Sequence, residues 1–348
     1  MGDRRIHLIA PAASCRPFFA AIGVGSAGGL IELVQAAVGP RFRVTGDESL
    51  IDAEEKEHTG GRSDDRRRAE DIESALADSG VAAVVALRGG AWLTRILPRI
   101  DFSVLDRRGG PVAVFGFSEL TTLVNIVGGR GYGLGIYDMG PAFLTYGLNR
   151  HASLAAMTSG GGGASGKGWM LERLRPEFTA FFQDVVAIIE GRGTRRSITA
   201  RLVGGELPPR SEGMFVGGNL TVLSTLLGSP YATYVDPAGR WLLLEDFNDK
   251  IERIDRFLAH LTLAGWWERC AGLLLGDFHK GYDDQASEVQ ALLPYHLPET
   301  RSLPVLVTAD VGHVWPMAPL PLHRMLSIEC REGVAYSIAW PAGDLGCV

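Results

Sequence analysis

The chain has 348 residues, of which 46% are hydrophobic and 21% charged, enough apolar material for sizeable cores in two domains of ordinary size. With 34 Lys and Arg against 40 Asp and Glu, the net charge of -6 excludes the broad basic surface of a nucleic-acid or anionic-membrane binder. No uncharged apolar run reaches the roughly 18 residues that span a bilayer.

In chain order, the N-terminal part alternates strands and helices. Ile6 to Ala13 follows Arg4 and Arg5, but His7 and Pro11 interrupt it, so it reads as a first strand and not as a lipoprotein signal. "GGLIELVQAAV" reads as a helix and "RFRVT" as a second strand. "SDDRRRAEDIESALAD" reads as a helix capped by Ser63 or Asp64, with Arg66, Arg67 and Arg68 on a solvated first turn. "VAAVVALRGG" is the continuous apolar type of strand that is buried on both faces of a parallel sheet. "AWLTRILPRI" is a short helix and "PVAVFGF" a further strand, ending at Ser118. This order predicts an α/β fold, a doubly wound and mainly parallel sheet with right-handed crossovers, whose ligands sit at the carboxyl ends of the strands.

Beyond about residue 150 the character changes. Thr158 to Gly168, "TSGGGGASGKG", has little to bury and reads as a mobile loop; it lacks the spacing of a phosphate-binding loop. Trp169 to Glu190 reads as an amphipathic helix. The segments "RSITARLVGGEL", "MFVGGNLTVLSTLLGSPY" and "RWLLLEDF" then read as short strands and one helix of a mixed α/β unit. The expected division is residues 1–150 as an N-terminal domain, 151–195 as glycine-rich loop and linker helix, and 196–348 as a C-terminal domain. Cys15, Cys270, Cys330 and Cys347 are dispersed without a C-x-x-C pair. That argues against a zinc site or a disulfide framework and for a reducing, cytoplasmic setting.

Three places carry polar groups at the ends of apolar strands. Ser118, in "VFGFSELTTL", is either a helix cap or a nucleophile on a strand-to-helix elbow. Glu245, in "LLLEDF", either caps the next helix or orients a base, and His313, in "VLVTADVGHVWPM", is either a structural loop histidine or that base. A hydroxyl, an imidazole and a carboxylate together are the three roles of nucleophilic acyl transfer. The order Ser, Glu, His occurs in α/β-hydrolases, but Leu120 replaces the second glycine of their G-x-S-x-G.

Taken together, "LIAPAAS", "SDDRRRAEDIESALADSGVAAVVALRGG", "GFSELTTL", "MFVGGNLTVLSTLLGSPY", "LLLEDFNDKIERIDRFLAHLTLAG", "AGLLLGDF" and "GHVWPMAPLPL" resemble the LD-carboxypeptidase family, which includes the microcin C self-immunity peptidases. The resemblance runs over nearly the whole chain. It implies that Ser118 is the nucleophile, His313 the base and Glu245 the third triad member, the serine coming from the first domain and the other two from the second. The backbone N–H groups of Glu119 and Gly90 are then the expected oxyanion donors. Gly89, Trp169 and Asn219 are the substrate-binding candidates, and no metal or other cofactor is expected. Phe117 and Glu119 depart from the family's usual Tyr and Asp, Asp249 from Glu, Glu252 from Tyr and His323 from Gly, which bears on substrate choice.

The expected reaction is cleavage of the amide bond before a terminal D-amino acid in murein-derived peptides. "LEDFNDKIERIDR" favours that branch, whereas "GHVWPM" and "GPAFLTYG" favour a microcin-immunity peptidase cleaving a peptidyl or aminoacyl nucleotide amide. In that branch Trp169 stacks on a base; its alternative is to anchor the following helix. A non-catalytic ligand-binding homologue is a third reading. The expected partners are a small peptide substrate and a second copy of the chain, since the family is often dimeric, with neither nucleic acid nor membrane. The loop 158–168 is expected to be either a lid over the cleft or a plain linker.

Overall fold

The computed structural model describes residues 4–54, 62–144, 165–193, 196–281, 283–298 and 302–340. The glycine-rich stretch 158–164, and with it the question of lid or linker, lies outside them.

Two sheets organise the chain. The first is built from β1 (Arg5–Ile9), β2 (Arg43–Gly46), β3 (Val81–Ala86), β4 (Val112–Gly116) and β5 (Gly133–Tyr137), paired in parallel in the order β5-β4-β3-β1-β2. Every residue of β3, β4 and β5 is buried, as continuous runs such as "VAAVVA" require of strands covered on both faces. Helices α1 (Ala27–Val38), α2 (Arg62–Ala77) and α3 (Thr121–Gly128) provide crossovers. Ser26 caps α1 by accepting from the Gly29 N–H. Helix α2 starts at Arg62, so Ser63 and Asp64 lie inside it and do not cap it.

The arginine run on α2 departs from expectation. Arg66 and Arg67 are exposed, but Arg68 is 1% exposed. Its guanidinium donates to the Pro11 carbonyl (2.7 Å) and pairs with Asp64 (3.0 Å) and Asp65. Several charge-assisted partners offset the desolvation of a buried guanidinium, and they fix the loop after β1 against α2.

Helix α4 (Ser165–Ile189) starts four residues before the expected Trp169, the helical backbone running into the end of the glycine-rich segment. Its buried face carries Phe178, Phe181, Phe182 and Val185; Phe181 packs edge-on to Phe115 of β4 with ring centroids 6.3 Å apart. Each such burial contributes roughly 1.5–3 kcal/mol, enough to hold a helix whose first turn has poor propensity.

The second sheet has eight strands among the described residues: β6 (Ile198–Gly204), β7 (Arg210–Asn219), β8 (Trp241–Phe247), β9 (Gly272–Lys280), β10 (Asp283–Asp284), β11 (Val305–Val307), and, after the separate strand β12 (Leu320–Leu322), β13 (Met325–Glu332) and β14 (Ala335–Ala339). It is mixed. β7, β8 and β9 run parallel, with β9 also parallel to β11, while β6, β13 and β14 pair antiparallel. Helices α5 (Leu220–Leu226), α6 (Ile251–Leu263) and α7 (Ala286–His296) belong to this part. Strand β12 does not join the second sheet: it pairs antiparallel with β5 and closes the edge of the first. Among the described residues no helix is long and apolar enough to cross a membrane.

Candidate active site

β4 runs apolar to Gly116 and the chain then turns sharply at Ser118, which has φ 58 and opens a single 3-10 turn, Ser118–Leu120, leading into α3. A left-handed conformation costs a non-glycine residue on the order of 1–2 kcal/mol, so the turn holds this serine against its preference. The Ser118 side chain caps neither the 3-10 turn, whose N-cap is Phe117, nor α3, whose N-cap is Leu120. The capping explanation for the serine therefore fails.

Gly89 packs directly against this elbow. A Cβ placed there would lie 3.2 Å from the Phe117 carbonyl, 3.3 Å from the Ser118 Cβ and 3.5 Å from the Glu119 nitrogen, so a side chain would fit only if the elbow shifted by a few tenths of an ångström. The next residue, Gly90, has φ 117. Glu119 ties the same two loops together: its Oε1 accepts from the Thr94 backbone N–H (3.0 Å) and hydroxyl (3.1 Å). Burial pushes the Glu119 carboxyl above its ordinary value, and the hydrogen bonds from the Thr94 and Leu93 region oppose that shift.

Glu245 and Asp246 lie near the end of β8 as adjacent carboxylates with separate partners. Asp246 Oδ2 accepts from the Thr221 N–H (2.8 Å) in the first turn of α5. Glu245 caps no helix. It is completely buried; Oε2 contacts the His313 ring at Nδ1 (2.7 Å) and Oε1 accepts from the Tyr137 hydroxyl (2.7 Å). Burial, and then the neighbouring Glu245 charge, raise Asp246 to about 7.

His313 lies in the loop between β11 and β12 and is 5% exposed. The Thr308 N–H donates to the Leu275 carbonyl (2.8 Å), Asp277 N–H to Val311 (2.8 Å) and Ala318 N–H to Asp310 (2.7 Å), pinning this loop to β9 and to itself. Gly312 has φ 121, and a Cβ there would lie 3.2 Å from Glu245 Oε2, so the loop brings the imidazole to the carboxylate over a glycine. Phe247 stacks on the imidazole with ring centroids 4.8 Å apart, and Phe117, the residue before Ser118, lies 4.7 Å from it on the elbow side. An Nδ1–H donated to the carboxylate makes Nε2 the basic nitrogen.

The structure therefore brings Ser118, Glu119, Gly89, Gly90, Glu245 and His313 to one place. Asn219 reaches it from β7: it stands opposite Glu245 in the parallel register, its N–H donates to Thr121 Oγ1 (3.0 Å), and its side-chain oxygen caps α5 by accepting from Val222 (3.1 Å). Trp169 lies on the backbone of α4, and its side chain is outside the described residues. Two residues absent from the sequence reading also matter. Tyr137, at the carboxyl end of β5, accepts from the Ser118 N–H (3.1 Å) while donating to Glu245. Asn125 of α3 donates to the Gly217 carbonyl (2.8 Å) and accepts from its N–H (3.1 Å), joining the two sheets' elements. The rule that sites gather at strand carboxyl ends was a usable signal for Tyr137. Nothing local marks Asn125.

Among the described residues no group of three or more His, Cys, Asp or Glu side chains could hold a metal ion. Cys15, Cys270 and Cys330 are thiols, and Cys347 lies outside the described residues.

Residues 6–134 match the LD-carboxypeptidase N-terminal domain and residues 212–328 the LD-carboxypeptidase C-terminal domain. The chain belongs to the LD-carboxypeptidase family. A putative carboxypeptidase of Streptomyces coelicolor is 30% identical over 248 residues, 71% of this chain and 68% of its own length. The probable murein peptide carboxypeptidase of Bacillus subtilis is 27% identical over 277 residues, 78% and 76% of the two chains. The microcin C7 self-immunity protein of Escherichia coli is 30% identical over a shorter span of 122 residues, 34% of each chain. Among solved structures, an MccF-like protein from Bacillus anthracis has a TM-score of 0.65 at 18% identity and covers 98% of both chains. A muramoyltetrapeptide carboxypeptidase from Oxalobacter formigenes has a TM-score of 0.61 at 22% identity, covering 97% of this chain and 99% of its own. At these identities the structures establish a shared fold, and with it the α/β architecture of this LD-carboxypeptidase family member.

Proposed function

We propose that this LD-carboxypeptidase family member is a serine peptidase that cleaves the amide bond before a terminal D-amino acid in murein-derived peptides. Ser118 Oγ attacks the amide carbonyl, its proton passes to His313 Nε2, and Glu245 holds the ring and stabilises the imidazolium. The N–H groups of Glu119 and Gly90 receive the negative oxygen of the tetrahedral intermediate. The imidazolium returns its proton to the departing amine, and water attacking the acyl-enzyme regenerates Ser118.

The observation that carries this reading is the buried Glu245–His313 contact of 2.7 Å, linked through Phe117 and Tyr137 to a serine held at positive φ. A histidine with only a structural role does not require a strained serine beside it, and neither does a binding protein that has given up catalysis. The murein branch is preferred because relatives named as murein peptide carboxypeptidases align over most of this chain, as in B. subtilis.

A second reading, cleavage of a peptidyl or aminoacyl nucleotide amide, is favoured by the microcin C7 self-immunity relative and by the fold shared with MccF in complex with aspartyl sulfamoyl adenosine. Incubation with a panel of muropeptide tetrapeptides and aminoacyl sulfamoyl adenosines, read by mass spectrometry, tests both. Loss of one terminal D-amino acid is the expected product, and turnover of the nucleoside compounds alone selects the second reading. Ser118→Ala should lower turnover by several orders of magnitude on any substrate in the panel. A variant retaining more than about a tenth of wild-type activity contradicts the mechanism.

A further inference from the structure

We infer that Tyr137 is a positioning residue of this site, its single hydroxyl joining the backbone of the Ser118 elbow to the carboxylate that orients His313. The inference rests on the Ser118, His313 and Glu245 reading.

Tyr137 ends β5, and the parallel register sets it opposite Gly116, two residues before the serine. It is completely buried, its ring edge-on to Phe117 with centroids 6.4 Å apart. The hydroxyl donates its one proton to Glu245 Oε1 at 2.7 Å and accepts from the Ser118 N–H at 3.1 Å. Thr121 Oγ1 lies 3.5 Å from the same oxygen and donates instead to the Ser118 carbonyl at 2.6 Å, so both backbone polar groups of Ser118 have partners.

Two consequences follow from the arrangement. The Ser118 N–H is occupied by the phenol, which leaves oxyanion binding to donors further along the elbow and on the Gly89–Gly90 loop. In addition, Glu245 is shared: one oxygen takes the phenol and the other the imidazole, so the carboxylate plane cannot rotate without breaking one of two short contacts. The chain of contacts crosses from the first sheet to the second, because Tyr137 lies in β5 and Ser118 follows β4 of one, while Glu245 lies in β8 of the other. Tyr137 therefore sets the position of the serine against its base through a bond that forms only when the two sheets are correctly placed. The phenol serves as a neutral donor throughout: burial first, and then the Glu245 charge, push its own ionisation well above the ordinary value.

The charged and titratable groups nearest this chain of contacts are His313, Asp246 beside Glu245, Asp138 next to Tyr137, Asp277 against Gly312, and Glu119 on the elbow. Burial raises both Asp246 and Asp138 to about 7, so controls must separate them.

The test is the rate at which a fluorophosphonate labels Ser118, measured from pH 5 to 9 in wild type, in Tyr137→Phe, and in protein carrying 3-fluorotyrosine at position 137. Removing the donor makes the ionised form of the fully buried Glu245 costlier. In the Phe variant, reactivity is expected to fall off on acidification at a pH about one unit higher, with the plateau rate lowered on the order of tenfold. Fluorotyrosine keeps the shape and strengthens the donor, so its fall-off should move to lower pH. Asp246→Asn and Asp138→Asn should each leave the difference between Tyr and Phe unchanged. Profiles that coincide for all three residues at position 137, or fluorotyrosine shifting in the same direction as Phe, overturn the inference. Failure of wild type to be labelled at Ser118 overturns the triad itself and is a separate result. If Tyr137→Phe does not fold, the fluorotyrosine profile alone decides.

Discussion

Ser118 sits at φ 58 with a buried side chain, and a residue held in that region is stabilised by its surroundings and not by its own preference. The neighbours that hold it are identifiable: Tyr137 and Thr121 on its backbone, Gly89 against its Cβ, and the Glu119 carboxylate fastening the adjoining loop. A second buried carboxyl, Asp138, lies next to Tyr137 and makes a testable contribution to stability. Burial, with Asp184 nearby, raises it to about 7, although its Oδ1 accepts from the Gly140 N–H (2.9 Å). An acid raised in the folded state stabilises the fold only while it stays protonated, so stability falls as pH rises from about 4 through 7. Asp138→Asn keeps the acceptor and removes the charge. It should therefore raise the unfolding free energy by a few kcal/mol at pH 8 and change it little at pH 4, measured by urea denaturation. An equal change at both pH values would contradict the burial argument. Ser118, Glu245 and His313 were legible as residues because each follows an apolar strand. Their alternatives as caps or loop fillers stayed open because one residue's neighbours in sequence do not reveal its partners in space.

At the scale of elements, apolar runs made most strands of the first sheet readable, since β3 and β4 are buried on both faces and consist almost wholly of Val, Ala and Phe. β5, "GLGIY", carries two glycines in five residues and gives no such signal; its role is fixed by packing on α3, where Gly133 and Gly135 meet the backbone of Val127 and Val124. β12 is harder still. Three residues with a central proline, "LPL", can only serve as an edge strand, and nothing local assigns them to the first sheet when the strands on either side in sequence join the second. Helix α3 carries the link between sheets. Asn125 is completely buried, and its amide exchanges two hydrogen bonds with Gly217 while also donating to the Thr121 carbonyl (2.6 Å). Asn125→Ala leaves the Gly217 backbone unpartnered on both sides. We expect a loss of about 2–4 kcal/mol in chemical denaturation, accompanied by slower labelling of Ser118. A fully stable variant with unchanged reactivity would show that the sheets are held together by other contacts.

Across the whole molecule, the candidate site lies where the two sheets meet. The elbow, Gly89 and Tyr137 come from the parallel sheet, and Glu245, Asn219 and the His313 loop from the mixed one. No single stretch of sequence contains the constellation, which is why the three roles are proposed together only through the family's pattern of motifs in order. The same separation explains why substrate choice is the least legible property. Phe117 and Glu119 follow β4 and His323 follows β12, and no sequence pattern says which substrate groups residues so placed would meet. His323 has φ 57, and burial lowers its ionisation to about 4, so it stays a neutral ring near Gly128 and Gly129.

Activation of Ser118 through His313 and Glu245 is checked by intact-mass and peptide mass spectrometry after reaction with a fluorophosphonate. One adduct per chain is expected, located on the peptide containing Ser118, absent in Ser118→Ala and slowed by orders of magnitude in His313→Ala. An adduct at another residue, no adduct on folded protein, or undiminished labelling in His313→Ala would contradict it.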